Sequence, residues 1–468
     1  MTKFHSTVSR RDFMKALGLG AGAATAIGAA SPIFHDIDEL TSSSVGKNDQ
    51  PWWVKDRDIN NLTTEVDWNI LKRYDSSTME NANNIPVDSA NWAAIGSKAT
   101  QFYADKLASK APGYDQRCAA LQSSQVSSPV SIPALGYPNL IADNKWVGSP
   151  EENFQTLRAA MHFFGTGQVG AIVLDDKTIQ ALINYDVNFR SDIDVATDIR
   201  NLPSKVKYMI VWTIQQNYDQ KKLELAESTF EPGKSGFQVP LGKASQAHGY
   251  TCVNMIEFMT MRFIHYLGYQ CYYTAINFNV AAGLFAGLGE QGRNTTLNSP
   301  SYGIATRKTS YLLTDMPIAP KKPIDFGGTK FCETCRRCAE RCPGGSMGDE
   351  SYKKRNWDDY KYGVNGRAGF NGWRVDTQKC KGSGGPSNCA ACQCVCPFNH
   401  QSEAMLHPII RAVASTTPVF NGLFGWGDRY MRYAPFSTEK EWSAWWTRDF
   451  KTYKGDTIFE TGRYKWDI

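Results

Sequence analysis

Hydrophobic periodicity is sharpest in the middle of the chain. Ser149, Pro150, Glu151 and Glu152 supply a capping side chain, a first-turn proline and an acidic pair, and Phe154, Leu157, Met161 and Phe164 then recur on one helical face. The apolar runs 169–174 and 206–213 predict strands, and 254–267 predicts a second helix with Ile256, Thr260, Phe263, Ile264 and Leu267 on one stripe. Helices mixed with strands predict an α+β or α/β core from residue 151. Ahead of it, 41–50 is polar, and 51–150 is rich in Trp and Asn with weak periodicity. Residues 317–323 form a proline- and lysine-bearing linker into a cysteine-dense segment that closes near Asn399, and the tail, with Trp442, Trp445 and Trp446, is expected to pack back over the body. The predicted organisation is 1–30, 31–150, 151–322, 323–400 and 401–468.

Eight of the 12 cysteines form two sets. Cys332, Cys335, Cys338 and Cys342, followed by Pro343, have the C-x2-C-x2-C-x3-C-P spacing of a [4Fe-4S] ligand run, in which the fourth thiolate serves a second cluster. The second set is Cys380, Cys389, Cys392 and Cys396, with Pro397 behind it. Crossed ligation would put Cys332, Cys335, Cys338 and Cys396 on one cluster, and Cys380, Cys389, Cys392 and Cys342 on the other. Cys380 lies nine residues ahead of Cys389 across a Gly-rich stretch, and Cys394 is a competing thiol. Zinc or disulfides also use cysteine pairs, but a proline after each x3 step favours clusters. Cys118, Cys252 and Cys271 read as small buried apolar residues.

Ser9-Arg10-Arg11-Asp12-Phe13-Met14-Lys15 is a twin-arginine signature leading into an apolar, small-residue run over 16–30. It predicts export by a route that carries folded, cofactor-loaded proteins, with the leader removed. As a membrane anchor, that run is short. The formal charge is +5, and losing the leader removes four cations and one anion, leaving +2. Lys plus Arg (51) nearly balance Asp plus Glu (46), and no basic block stands out, so no nucleic-acid partner is implied.

Gly287-Leu288-Gly289-Glu290-Gln291-Gly292 fits the dinucleotide fingerprint GxGxxG, but no buried strand precedes it and no periodic helix follows. Its glycines, Gly289 and Gly292 among them, are read as allowing close backbone approach to some other large flat ligand. The DxHxxG signature of a histidine-ligated corrinoid is missing: His5, His35, His162, His248, His265, His400 and His407 all lie outside such a motif.

The leader, Pro51-Trp52-Trp53-Val54-Lys55, the loop Gly287 to Arg293, Thr314-Asp315-Met316-Pro317-Ile318-Ala319-Pro320 and the lopsided cysteine sets together resemble the corrinoid-dependent respiratory reductive dehalogenases, nearly end to end. The resemblance implies an α+β fold: a nitroreductase-like core holding a base-off corrinoid, with a ferredoxin-like domain carrying two [4Fe-4S] clusters. It implies a halogenated small-molecule substrate, a small integral-membrane anchor subunit and a respiratory electron donor, at the outer face of the cytoplasmic membrane. The implied proton donor is Tyr250, 17 residues before Leu267 and at the start of its helix, partnered by Arg307, five positions after the aromatic of Tyr302-Gly303. A guanidinium and a helix N-terminus would both favour phenolate. For the pocket asparagine, Asn277 and Asn279 both fit imperfectly.

The implied reaction replaces carbon-bound halogen by hydrogen with two electrons and one proton. Co(I) acts on the halogen directly or passes an electron to the substrate, and halide is released. Two other readings are an exported ferredoxin-type electron-transfer subunit without corrinoid, and an epoxyqueuosine-reductase-like enzyme acting on tRNA. The first leaves some 300 residues ahead of the cysteines without a purpose. The second conflicts with the leader and the balanced charge.

Overall fold

The computed structural model describes residues 53–75, 89–123, 131–137, 145–226, 230–231, 235–236, 238–274, 276, 279–347, 354–357, 367–384, 389–400, 406–431 and 436–448. The twin-arginine leader and the polar stretch 41–50 lie outside these residues.

A four-stranded antiparallel sheet organises the core, with strands in the spatial order Gln168–Val173, Tyr208–Gln215, Thr306–Thr314 and Cys271–Tyr272. Both faces are covered, so the Tyr208–Gln215 strand is apolar almost throughout rather than alternating. On one face Ile172, Met209, Val211, Tyr311 and Leu313 pack with the Asn279–Phe285 helix. On the other, Val169, Ala171, Ile210, Trp212, Ile214 and Leu312 meet Leu157 and Met161 of the Pro150–Phe163 helix and Val253, Ile256 and Ile264 of the Pro240–Tyr266 helix.

The first predicted helix forms where its signals stand, opened by the reciprocal Ser149–Glu152 capping box. The strand predicted over 206–213 is displaced by two residues, because Val206 still closes a turn through its amide on the Pro203 carbonyl. The helix predicted over 254–267 begins fourteen residues earlier, at Pro240, and has 27 residues. Its early turns carry little periodicity. Val239 gives no side-chain cap, and Gly242 and Gly249 sit where a helix former would be expected. Both glycines are close-approach positions: a Cβ on Gly242 would stand 2.3 Å from the Glu224 amide nitrogen, and one on Gly249 would stand 2.7 Å from the Arg307 Cβ.

Beyond the linker, Ile324–Asp325 pairs antiparallel with Lys55–Asp56, and Asn371 donates to the Glu65 carboxylate, tying 53–75 to the cysteine-bearing segment. Phe326, Phe331 and Phe398 pack edge to face beneath Ile409, Val413 and Phe424 from the helices Leu406–Thr416 and Asn421–Tyr430. Trp442, in the Glu439–Trp446 helix, is buried against Tyr114, Cys118 and Leu241. Cys118, Cys252 and Cys271 are buried, as expected of small apolar residues. No helix among the described residues is long and apolar enough to cross a membrane.

Gly242→Ala is expected to destabilise by about 1–3 kcal/mol, because its methyl meets backbone rather than a flexible side chain. Ser149→Ala, which removes an exposed cap, is expected to lose about 1 kcal/mol. Denaturant midpoints of the two variants should fall in that order.

Candidate functional site

The first cysteine set is displayed by the short helix Gly328–Cys335 and the turn after it. Arg336 takes a left-handed φ of 56°, which breaks the helix and starts a new turn, Arg337–Glu340, so that Cys338 swings back toward Cys332 and Cys335. The buried Glu290 carboxylate fixes the start of this helix by accepting from the amides of Phe326 (2.6 Å), Gly328 (3.1 Å) and Thr329 (2.9 Å). Cys332, Cys335, Cys338 and Cys396 line one cavity, together with Gly292, Arg293 and Asn294. Its four thiols therefore come from both motifs.

The remaining thiols gather separately. Cys342, Cys380, Cys389 and Cys392 lie within electrostatic reach of one another. Cys394 turns the other way, its Sγ 3.5 Å from the Lys221 carbonyl and 3.8 Å from Glu224 Oε2. Geometry thus favours Cys380 over Cys394 in the second group. Backbone and amide donors face these sulfurs: Ser346 N to Cys342 Sγ at 3.4 Å, Ala391 N to Cys389 Sγ at 3.5 Å, and Asn294 Nδ2 to Cys392 Sγ at 3.5 Å. Such donors suit a sulfur-ligated cluster.

Burial pushes the thiols up, Cys332 to about 11 and Cys335 to about 12, with Cys338, Cys389 and Cys396 also well above the ordinary thiol value, whereas Cys380 stands exposed at the surface. A buried thiol of this kind ionises when a metal takes the place of its proton. Among the described residues no three His, Cys, Asp or Glu side chains converge on a point that one metal ion would occupy. The first four thiols instead ring a cavity, which fits a cluster several ångströms across.

The glycine loop sits beside this assembly. It follows the Asn279–Phe285 helix and makes a hairpin, Glu290–Gln291 against Leu297–Asn298, rather than the strand-turn-helix of a dinucleotide site. The missing Cβ of Gly289 faces the Asn298 carbonyl, 2.2 Å from where that carbon would stand, and Gly292 lines the first thiol cavity. The two residues after it do more than the sequence indicated. Arg293, buried over the Trp373 ring at 4.1 Å, donates to the Cys332 carbonyl (3.0 Å), and Asn294 spans from the first cavity to Cys392. Position next to the loop was their only sequence signal.

Tyr250 and Arg307, 57 residues apart, are in contact: Arg307 Nη2 donates to the Tyr250 hydroxyl at 2.8 Å, with the guanidinium carbon 4.4 Å from the ring centroid. The glycine at 249 gives the Arg307 stem room to cross the helix. Arg307 leaves the sheet where the register of its strand against Tyr208–Gln215 shifts between Arg307 and Ser310, and Lys308 there has a φ of 47°. Such a bulge re-aims side chains. Glu257 holds the bulge from the neighbouring helix, accepting from Ser310 Oγ at 2.9 Å with Lys308 Nζ at 3.7 Å. Burial pushes the Glu257 carboxyl up, and Lys308 and Ser310 oppose that shift.

One sequence expectation is corrected. Tyr250 stands ten residues inside its helix, not at its start, so the helix N-terminus does not help to stabilise a phenolate, because that effect fades within the first turn. The Arg307 contact remains. Asn277 lies outside the described residues, and Asn279 opens the Asn279–Phe285 helix.

Several buried polar atoms lack a hydrogen-bond partner among the described residues: both amide atoms of Gln215, beside Thr306 in the sheet, both amide atoms of Asn298, and Arg307 Nε. Buried polar groups are ordinarily satisfied. A ligand rimmed with amides, as a corrinoid is, would offer donors and acceptors to groups of this kind.

Residues 331–399 match the 4Fe-4S double cluster binding domain family. The chain is 29% identical to the chloroethene reductive dehalogenase of Dehalococcoides mccartyi strain VS, covering 97% of this chain and 99% of that protein. It is 29% identical to the trichloroethene reductive dehalogenase of Dehalococcoides mccartyi strain ATCC BAA-2266 / KCTC 15142 / 195, over 92% of this chain and 96% of that one. In three dimensions it is similar to the catabolic reductive dehalogenase NpRdhA, with a TM-score of 0.54 at 20% identity. That match covers 83% of this chain and about half, 50%, of the solved one. The chain is thus a mixed α/β homologue of the reductive dehalogenases with a 4Fe-4S double cluster domain.

Cys380→Ser is expected to lower bound iron and sulfide by about half, whereas Cys394→Ser should leave both near their original content. Metal and acid-labile sulfide analysis of anaerobically purified protein distinguishes the two.

Proposed function

We propose that this chain is the catalytic subunit of organohalide respiration, replacing a carbon-bound halogen of a small chlorinated substrate by hydrogen and releasing halide. The observation that carries the reading is the Arg307–Tyr250 hydrogen bond in a chain similar, along nearly its whole length, to chloroethene and trichloroethene reductive dehalogenases. A chlorinated ethene is therefore the first substrate class to test.

The crossed thiol sets, Cys332, Cys335, Cys338 and Cys396 with Cys342, Cys380, Cys389 and Cys392, would hold two [4Fe-4S] clusters, which would supply single electrons. A base-off corrinoid, when bound, supplies Co(I) as the reductant. Gln215 and Asn298 would satisfy their buried polar atoms against its amide rim. Tyr250 holds the proton that the substrate carbon takes up, at its phenol oxygen. Arg307 keeps that oxygen oriented by donating to it, and its positive charge stabilises the phenolate left behind. Proton return to Tyr250 completes the cycle. The leader over 1–30 fits export in the folded state, and a small membrane anchor subunit would hold the protein at the outer face of the cytoplasmic membrane, where a respiratory donor feeds the clusters. A pure electron relay would have no use for the Tyr250–Arg307 pair.

Under anaerobic assay with a low-potential reductant and chlorinated ethenes, the protein should release chloride. Tyr250→Phe should lower the rate about 100-fold or more while leaving cobalt, iron and sulfide unchanged, and Arg307→Gln should fall in the same direction. Full activity in Tyr250→Phe would remove Tyr250 from the chemistry, and no chloride release from cobalt-loaded protein would contradict the reading itself.

A further inference from the structure

The mechanism makes no use of the most deeply buried ion pair among the described residues. Lys221 and Glu224 form a salt bridge with side chains 0% and 1% exposed. They belong to the segment Tyr218–Glu224, wedged between the start of the Pro240–Tyr266 helix and the second cysteine set. On the helix side, Gly242 is in contact with the Glu224 backbone, and Val239 N donates to the Glu224 carbonyl at 2.8 Å. On the cluster side, the Cys394 thiol donates toward both the Lys221 carbonyl and Glu224 Oε2. Cys394 shares the single-turn helix Ala391–Cys394 with Cys392. Lys221 is the cation that acts on Cys392, and Lys243 is a third charged group acting on Glu224.

Burying two charges is expensive, and a well-packed apolar pair of similar volume is often as stable or more so. Packing therefore does not explain this pair. A charge fixed in a low-dielectric interior acts strongly on any group nearby that changes its own charge, and a cluster gains one negative charge each time it is reduced. We propose that the Lys221–Glu224 pair sets the reduction potential of the cluster held by Cys342, Cys380, Cys389 and Cys392. Lys221 stabilises the reduced cluster, Glu224 opposes it, and the Cys394 thiol, bonded to the pair instead of to iron, holds the pair against the ligand-bearing turn.

The proposal rests on the two-cluster reading, and its test separates the two. The full-length protein, purified anaerobically with its clusters, is titrated potentiometrically and followed by electron paramagnetic resonance, with iron counted in the same sample. Glu224→Gln, nearly isosteric, should raise the potential of one of two reduction steps and leave the other in place. Lys221→Met should lower that same step, and Lys221→Arg should restore it. Should Lys221→Met fail to hold its iron, Glu224→Gln decides alone. With about eight irons per chain, unmoved potentials in Glu224→Gln, or equal movement of both steps, would overturn the proposal and leave the pair a packing feature. About four irons per chain would overturn the two-cluster reading beneath it.

Discussion

The first thiol cavity is completed from two places in the sequence, and the rest of the structure follows from that constraint. Cys396 reaches back to Cys332, Cys335 and Cys338, while Cys342 leaves its own motif for the company of Cys380, Cys389 and Cys392. Neither motif can form its site alone. The hairpin that follows Gly287 lies against this crossing and stabilises it from the core side: Glu290 caps the first cysteine helix, Arg293 holds the Cys332 carbonyl, and Asn294 reaches Cys392. A loop that resembles a nucleotide fingerprint thus acts as the joint between the core and the cysteine domain.

The sheet places the Tyr250–Arg307 pair relative to that joint. The Thr306–Thr314 strand emerges near Asn399, which accepts from the amides of Ile304 and Ala305, and it carries Arg307 directly after. The register shift then turns Arg307 across Gly249 to Tyr250. One continuous run of chain, 287–314, therefore links the thiols to Tyr250.

Much of this was legible in the sequence, for reasons that differ by residue. The cysteine sets were readable because ligand spacing is dictated by cluster geometry and is nearly independent of context. The Pro150–Phe163 helix was readable because its cap, proline and apolar stripe agree. The first half of the Pro240–Tyr266 helix was not, because Gly242 and Gly249 obey tertiary contacts with Glu224 and Arg307 that local sequence does not reveal. The same blind spot produced the wrong electrostatic argument for Tyr250, which depended on where the helix begins. The choice between Cys380 and Cys394 turned on a buried ion pair 170 residues away, and no spacing rule contains it.

Whether one chain joins a corrinoid to two iron-sulfur clusters is decided by its metal content. Protein purified anaerobically from a corrinoid-supplied cell should contain about one cobalt, eight irons and eight sulfides per chain, with the optical spectrum of a bound corrinoid. Eight irons without cobalt would contradict the account and leave the chain an electron carrier, with Tyr250 and Arg307 an ordinary packing contact.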